Sequence, residues 1–210
     1  MQQLGVLFLF TFSAAFIASL PPGLLNMNAA KTSVEKGKSN GVMFGLGVAV
    51  VVMIQAYLAV RIAKYLSRNT AVIELFMQVA LVIFAVLAIF FFLKGKKQEN
   101  QQVHFKPSKK RGSFTKGAAL AAINLLAIPY YSGMNTIFHA QGFMKYKVVD
   151  EIVFILAAGG GTFLVMYLYA FYFNKMEHKT KSFSKKSNYI LSILMVVLFL
   201  ITAIRLFNQS

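Results

Sequence analysis

Two stretches of this sequence share the spacing Pro-x4-Met-Asn: Pro22 to Asn28, and Pro129 to Asn135. Both lie in apolar surroundings, and both carry further side-chain amides, Asn26 inside the first and Asn124 just ahead of the second. A proline within an apolar helix removes a backbone hydrogen bond and clashes with the preceding turn, so it bends or breaks the helix. Amides beside such a break have two uses, and both readings fit here. They can glue helices together by meeting the freed backbone groups, or they can offer a donor and an acceptor to a solute. A helix that restarts after a break also points its first N–H groups into the gap, where they favour a carboxylate. Asn26, Gln55, Asn124, Tyr130, Tyr131, Ser132 and Thr162 form a neutral polar lining suited to a neutral or zwitterionic small molecule. The candidate solute contacts are Pro22, Gly23, Asn26, Asn28, Gln55, Asn124, Pro129, Tyr130 and Asn135.

Ionisable groups are scarce in the apolar stretches. Glu74 stands one turn into the third of them, with Gln78 one turn further along the same face. A charged side chain inside a bilayer costs at least ~2.5–3.5 kcal/mol, which makes Glu74 the candidate for proton coupling, against a plainer reading as an interfacial anchor. Asp150 and Glu151 mark the start of the fifth stretch, near the membrane surface. There is no cysteine, so disulfides, thiol nucleophiles and thiolate metal sites are excluded, and with them a cysteine-based membrane redox enzyme. His104, His139 and His178 fall in loop-like stretches with no ligand spacing among them. No cofactor, no metal site and no enzymatic activity are expected.

The elements that must position these residues are membrane spans. Of the 210 residues 58% are hydrophobic and 13% charged, about half the charged fraction of soluble domains, roughly 25%. Six apolar stretches can cross a hydrocarbon core of about 30 Å. They run over Leu4–Ala30, Gly41–Val60, Ala71–Leu93, Gly117–Phe138, Ile152–Phe173 and Asn188–Phe207. The first has no basic residue ahead of it and no small-x-small cleavage site behind it, so it reads as a retained helix rather than a signal peptide. The expected fold is an all-α membrane protein of about six transmembrane helices.

The net charge of +16 would ordinarily raise nucleic acid as a partner. Here the Lys and Arg residues sit between the apolar runs, and no soluble face is left to carry a basic patch. Sixteen of the 22 fall in the loops after spans one, three and five, against six on the opposite side. The positive-inside rule then places both termini on the non-cytoplasmic side of the plasma (inner) membrane.

The shared Pro-x4-Met-Asn spacing also bears on organisation. The next span in each half opens with glycines, Gly45 and Gly47 in one and Gly159–Gly161 in the other. Spans one to three therefore read as a faint copy of spans four to six. Because three is odd, the second copy enters the membrane from the other side: an inverted repeat, as in many secondary transporters. The chain reads as one transmembrane domain, with repeat one over 4–93, a basic cytoplasmic loop over 94–116 and repeat two over 117–207. Pro22 lies roughly 13 Å inside Lys31, and Pro129 roughly 20 Å from Lys116, which puts both near the midplane.

These residues resemble the lysine exporter (LysE/RhtB) family of amino-acid exporters. Pro22-Gly23, the turn Lys36-Gly37-Lys38-Ser39-Asn40-Gly41 and the start Leu46-Gly47-Val48-Ala49 are similar to its Pro-Gly-Pro-Asn segment, basic glycine turn and Leu-Gly-Ile-Ala helix. Phe114-x-x-Gly117 with Asn124 resembles its second signature, Phe-x-x-Gly…Asn-Pro-Lys. The departures are specific. Leu24 and Leu25 stand for Pro-Asn, Val51 and Val52 for Gly-Asp, and Leu125 and Leu126 for Pro-Lys. The resemblance implies six helices, an inverted repeat and proton-motive efflux of amino acids by alternating access, through a divergent member lacking the usual aspartate and lysine. The implied partners are a small solute, an amino acid first of all, and the lipid bilayer, with a homo-oligomer compatible. Two alternatives remain at this point: a non-transporting membrane protein of the same fold, and a metal-cation exporter, for which clustered midplane carboxylates or histidines are missing.

Overall fold

The computed structural model describes residues 2–21, 23–68 and 110–172, together with helical positions 78, 82, 85, 86, 88–90, 92, 93, 192, 193, 196, 197, 199, 200, 203 and 204. Six helices are complete within it: α1 (Gln2–Ser19), α2 (Leu24–Lys36), α3 (Lys38–Arg68), α4 (Lys110–Ile123), α5 (Ala127–Ala140) and α6 (Val148–Tyr172). No strand occurs among the described residues.

α1, α3 and α6 are each long and apolar enough to cross a membrane, and α4 with α5 makes a fourth crossing if that pair, bent by 67°, counts as one span. They correspond to expected spans one, two, five and four. Spans three and six fall mostly outside the described residues, so the six-helix inverted repeat remains an expectation. The surfaces of these helices read inside out. Leu9, Phe10 and Ile17 of α1, Ile54 and Leu58 of α3, and Ile152 and Leu156 of α6 are all exposed. A face of that kind belongs against lipid.

The buried stripe of α3 runs Gly41, Gly45, Val48, Val52, Gln55, Ala56, Ala59 and Ala63, the three-and-four spacing of one helix face. Small residues on it let neighbouring backbones come close, which is how membrane helices associate without a hydrophobic drive between them. α3 also outruns its expected limits of 41–60. At 31 residues it is roughly 46 Å long, and it carries Arg61, Lys64 and Arg68 as part of the helix rather than of a loop. The turn into it is a single residue: Gly37, at φ 90°, lets α2 reverse directly into α3.

α6 lies against α1 and α2, and α2 against α4. Tyr131 of α5 meets Phe154 of α6 edge-on at 5.9 Å, and Phe138 meets the same ring at 6.4 Å. The chain divides into two compact units, residues 1–65 with 105–177 and residues 66–104 with 178–210. Within the second, Ser192 Oγ donates to the Ala88 carbonyl at 2.9 Å, a buried bond between its two described helical stretches.

Candidate functional site

The first apolar span is interrupted where its Pro-Pro-Gly stretch falls. α1 ends at Ser19 and α2 starts at Leu24, with Gly23 as N-cap; Pro22 itself lies outside the described residues. Three successive carbonyls freed there all find donors. Asn26 Nδ2 donates to Ser19 O at 2.6 Å and to Pro21 O at 2.9 Å, and the Tyr169 hydroxyl of α6 donates to Leu20 O at 2.9 Å. Asn26 is buried, and its amide thereby replaces the backbone donors that a continuous helix would have supplied.

The second interruption differs from the sequence expectation. The break falls at Asn124-Leu125-Leu126, and Pro129 is the third residue of α5. In the first turn of a helix the N–H groups have no intrahelical partner, so a proline there forfeits nothing and marks a helix start instead of a break. Gln55, reaching across from α3, donates through Nε2 to Ala121 O at 3.0 Å and to Asn124 O at 3.1 Å. Each break is thus closed by one side-chain amide that serves two carbonyls. Replacing Asn26 or Gln55 by Leu should cost roughly 1–3 kcal/mol for each carbonyl left without a donor, read as a lower melting temperature in detergent. An unchanged melting temperature would show that these bonds hold nothing together.

With the donors accounted for, the acceptors stand out. The oxygens of Asn28, Gln55 and Asn135 are buried with no hydrogen-bond partner among the described residues, and so is the Thr11 hydroxyl of α1. The Asn28 and Asn135 amides behave alike: Nδ2 donates to the carbonyl four residues back, Leu24 O at 2.7 Å and Tyr131 O at 3.0 Å. Among the described residues no side chain caps the start of α2 or of α5.

Of the other expected contacts, Gly23 and Asn124 are exposed, and Asn124 joins the site through its backbone carbonyl. Tyr130 packs edge-on against Tyr131 and donates its hydroxyl to Ala14 O of α1 at 3.1 Å. Thr162 of α6 reaches the first interruption, where its hydroxyl accepts from Ser19 Oγ at 3.4 Å. Glu74 lies outside the described residues, and Gln78 is exposed.

Several contributors escaped the sequence reading. Tyr169, one of several aromatics toward the end of the fifth apolar stretch, closes the first break. Glu151, at the start of α6, is buried and ion-paired with Arg61 and Lys64; the signal was the spacing of those two cations at the end of an apolar run. His139 belongs to the last turn of α5, where Nδ1 meets Met144 O at 2.8 Å, and not to a loop. Among the described residues no three His, Asp or Glu side chains gather as a metal site.

Lipid-facing apolar helices define a multi-pass membrane protein, and interrupted helices with side-chain amides at the breaks are a construction that transporters use. The comparison with known families agrees: the LysE type translocator family matches residues 16–209, and the chain belongs to that family. No curated protein and no solved structure matches it.

Proposed function

We propose that this protein exports amino acids or similar small zwitterionic solutes across the plasma membrane by alternating access, from a site built at the two interrupted helices. The observation that carries the reading is the set of buried amide oxygens, on Asn28, Gln55 and Asn135, that have no donor among the described residues. An unmet buried acceptor costs roughly 1–3 kcal/mol, and a solute ammonium has three N–H groups with which to meet such acceptors. The uncapped start of α2, at Gly23, supplies first-turn N–H groups and a positive dipole end for the carboxylate. Acceptors for one end and N–H groups for the other suit a zwitterion better than a bare cation or anion.

The matched behaviour of Asn28 and Asn135 also supports the inverted repeat within a single transmembrane domain, with an equivalent residue in each half presenting the same atom. In this conformation those oxygens are sealed, and alternating access is the motion that would open them to one side and then the other. Proton coupling through Glu74, non-cytoplasmic termini and a homo-oligomer belong to the same proposal.

The test is a metabolite comparison of the medium from cells overexpressing the protein and from cells lacking it. One amino acid or a small group of them should be enriched in the first. Identical media under amino-acid load would remove the proposal.

A further inference from the structure

Away from the site, one carboxylate is buried between cations of another helix. Arg61 and Lys64 stand three residues apart, hence on one face of α3, and both reach Glu151 in the first turn of α6. Arg61 Nη2 donates to Glu151 Oε2 at 2.5 Å, and Lys64 Nζ to Oε1 at 3.1 Å, so each oxygen has its own cation. The Glu151 side chain is 7% exposed, that of Arg61 45% and that of Lys64 25%.

The neighbourhood is braced around this triad. Asp150 accepts the backbone N–H groups of Lys145 and Lys147, at 3.0 and 3.3 Å, which folds the α5–α6 connection over the helix end. Lys64 also donates to the Tyr146 carbonyl at 3.4 Å, and the Arg61 guanidinium lies over the Tyr57 ring at 4.8 Å. Directly below, Ser132 Oγ of α5 donates to Ala59 O, two residues before Arg61.

Two features distinguish this triad from permanent glue. Arg61 meets the carboxylate through one nitrogen, not the bidentate fork that makes such pairs rigid. Both cations also keep an exposed side at the end of their helix, so water can meet their charge there if α3 and α6 part. A carboxylate deep in the bundle would have no such exit. The charge bias places this end of the helices on the non-cytoplasmic side, and α3 and α6 come from opposite halves of the repeat.

We propose that Arg61, Lys64 and Glu151 form the latch that closes the non-cytoplasmic side of the transporter in this conformation, and that it must separate before solute can leave. This rests on the export reading, but its test does not depend on transport. The natural chain has no cysteine, so Ser132→Cys supplies a unique thiol just beneath the latch. A membrane-impermeant maleimide applied to intact cells should label that variant slowly. Adding Glu151→Gln should raise the labelling rate about tenfold or more, the mark of a shifted open population. Adding Glu151→Asp, which keeps the charge, should leave the thiol protected. Should the Glu151→Gln protein fail to accumulate, Arg61→Gln, at a half-exposed position, carries the same expectation. An unchanged rate, or a gain seen only in inverted vesicles, overturns the latch and leaves the export reading standing. Faster labelling in a protein that moves no solute would do the reverse.

Discussion

Gly117→Leu and Gly47→Leu are each expected to abolish accumulation of folded protein in the membrane. The two glycines face one another across α3 and α4 in a reciprocal contact: a Cβ on Gly47 would overlap the Phe114 carbonyl, and a Cβ on Gly117 would overlap the Phe44 carbonyl. Backbone opposes backbone on both sides, so no side chain can swing away. The clash is relieved only by moving α4 off α3. That would strain the nearby bond from Ser113 Oγ to Asn40 Oδ1 and pull the second break away from Gln55. Overpacking by a few methylenes commonly costs 1–3 kcal/mol where side chains can yield, and here they cannot. Size-exclusion profiles of a fluorescent fusion should show monodisperse protein falling by about tenfold or more, since ~1.4 kcal/mol is already a factor of ten. Gly133→Ala is the control, because nothing lies within 4 Å of a Cβ there, and it should leave the profile unchanged. Normal yield of Gly117→Leu would mean that α3 and α4 do not cross at these residues.

The second large effect separates binding from packing. Asn28→Leu and Asn135→Leu each remove a buried oxygen that has no hydrogen-bond partner among the described residues. The amide nitrogen lost with it donates to a carbonyl of its own helix, one turn back. Leu is close to Asn in size and carries no polar atom to bury. Deleting an unmet acceptor recovers part of a penalty of roughly 1–3 kcal/mol, so the melting temperature in detergent should hold or rise. Efflux by either variant should nonetheless fall about tenfold or more, the loss of a contact worth ~1.4 kcal/mol. Stability and transport thus move in opposite senses at Asn28 and Asn135. At Asn26 and Gln55, whose amides close the breaks, they should fall together. A joint fall at Asn135 would make it a packing residue and remove it from the site.

The apolar runs made the membrane class plain, because a helix facing lipid has to be apolar over its whole length. The first interruption was legible for a local reason: two prolines and a glycine in succession leave little choice of backbone. The second was not. Pro129 was visible, but whether a proline breaks a helix or starts one depends on where the helix begins, and that is settled at Asn124 by a partner 69 residues away, Gln55. Long-range partnership hid the rest as well. Tyr169 looks like any aromatic near a membrane surface until Leu20 O is seen beneath its hydroxyl. Gly47 and Gly117 each stood in a stretch similar to a family signature, yet nothing in either stretch says that they face one another. Asn28 and Asn135 were matched by spacing alone, and the structure adds that their amides make the same bond.

The protein is expected to move amino-acid-like solutes by way of Asn28 and Asn135, and release from proteoliposomes tests this most directly. Vesicles holding the purified protein would be loaded with an equimolar mixture of the standard amino acids, and the external buffer analysed by mass spectrometry over time. Protein-free vesicles and vesicles holding the Asn28→Leu/Asn135→Leu variant would serve as references. The expected result is release of at least one amino acid about ten times faster than from the protein-free vesicles, with the variant returning to that baseline. Release no faster than from empty vesicles for every amino acid, with and without an imposed proton gradient, would contradict the account.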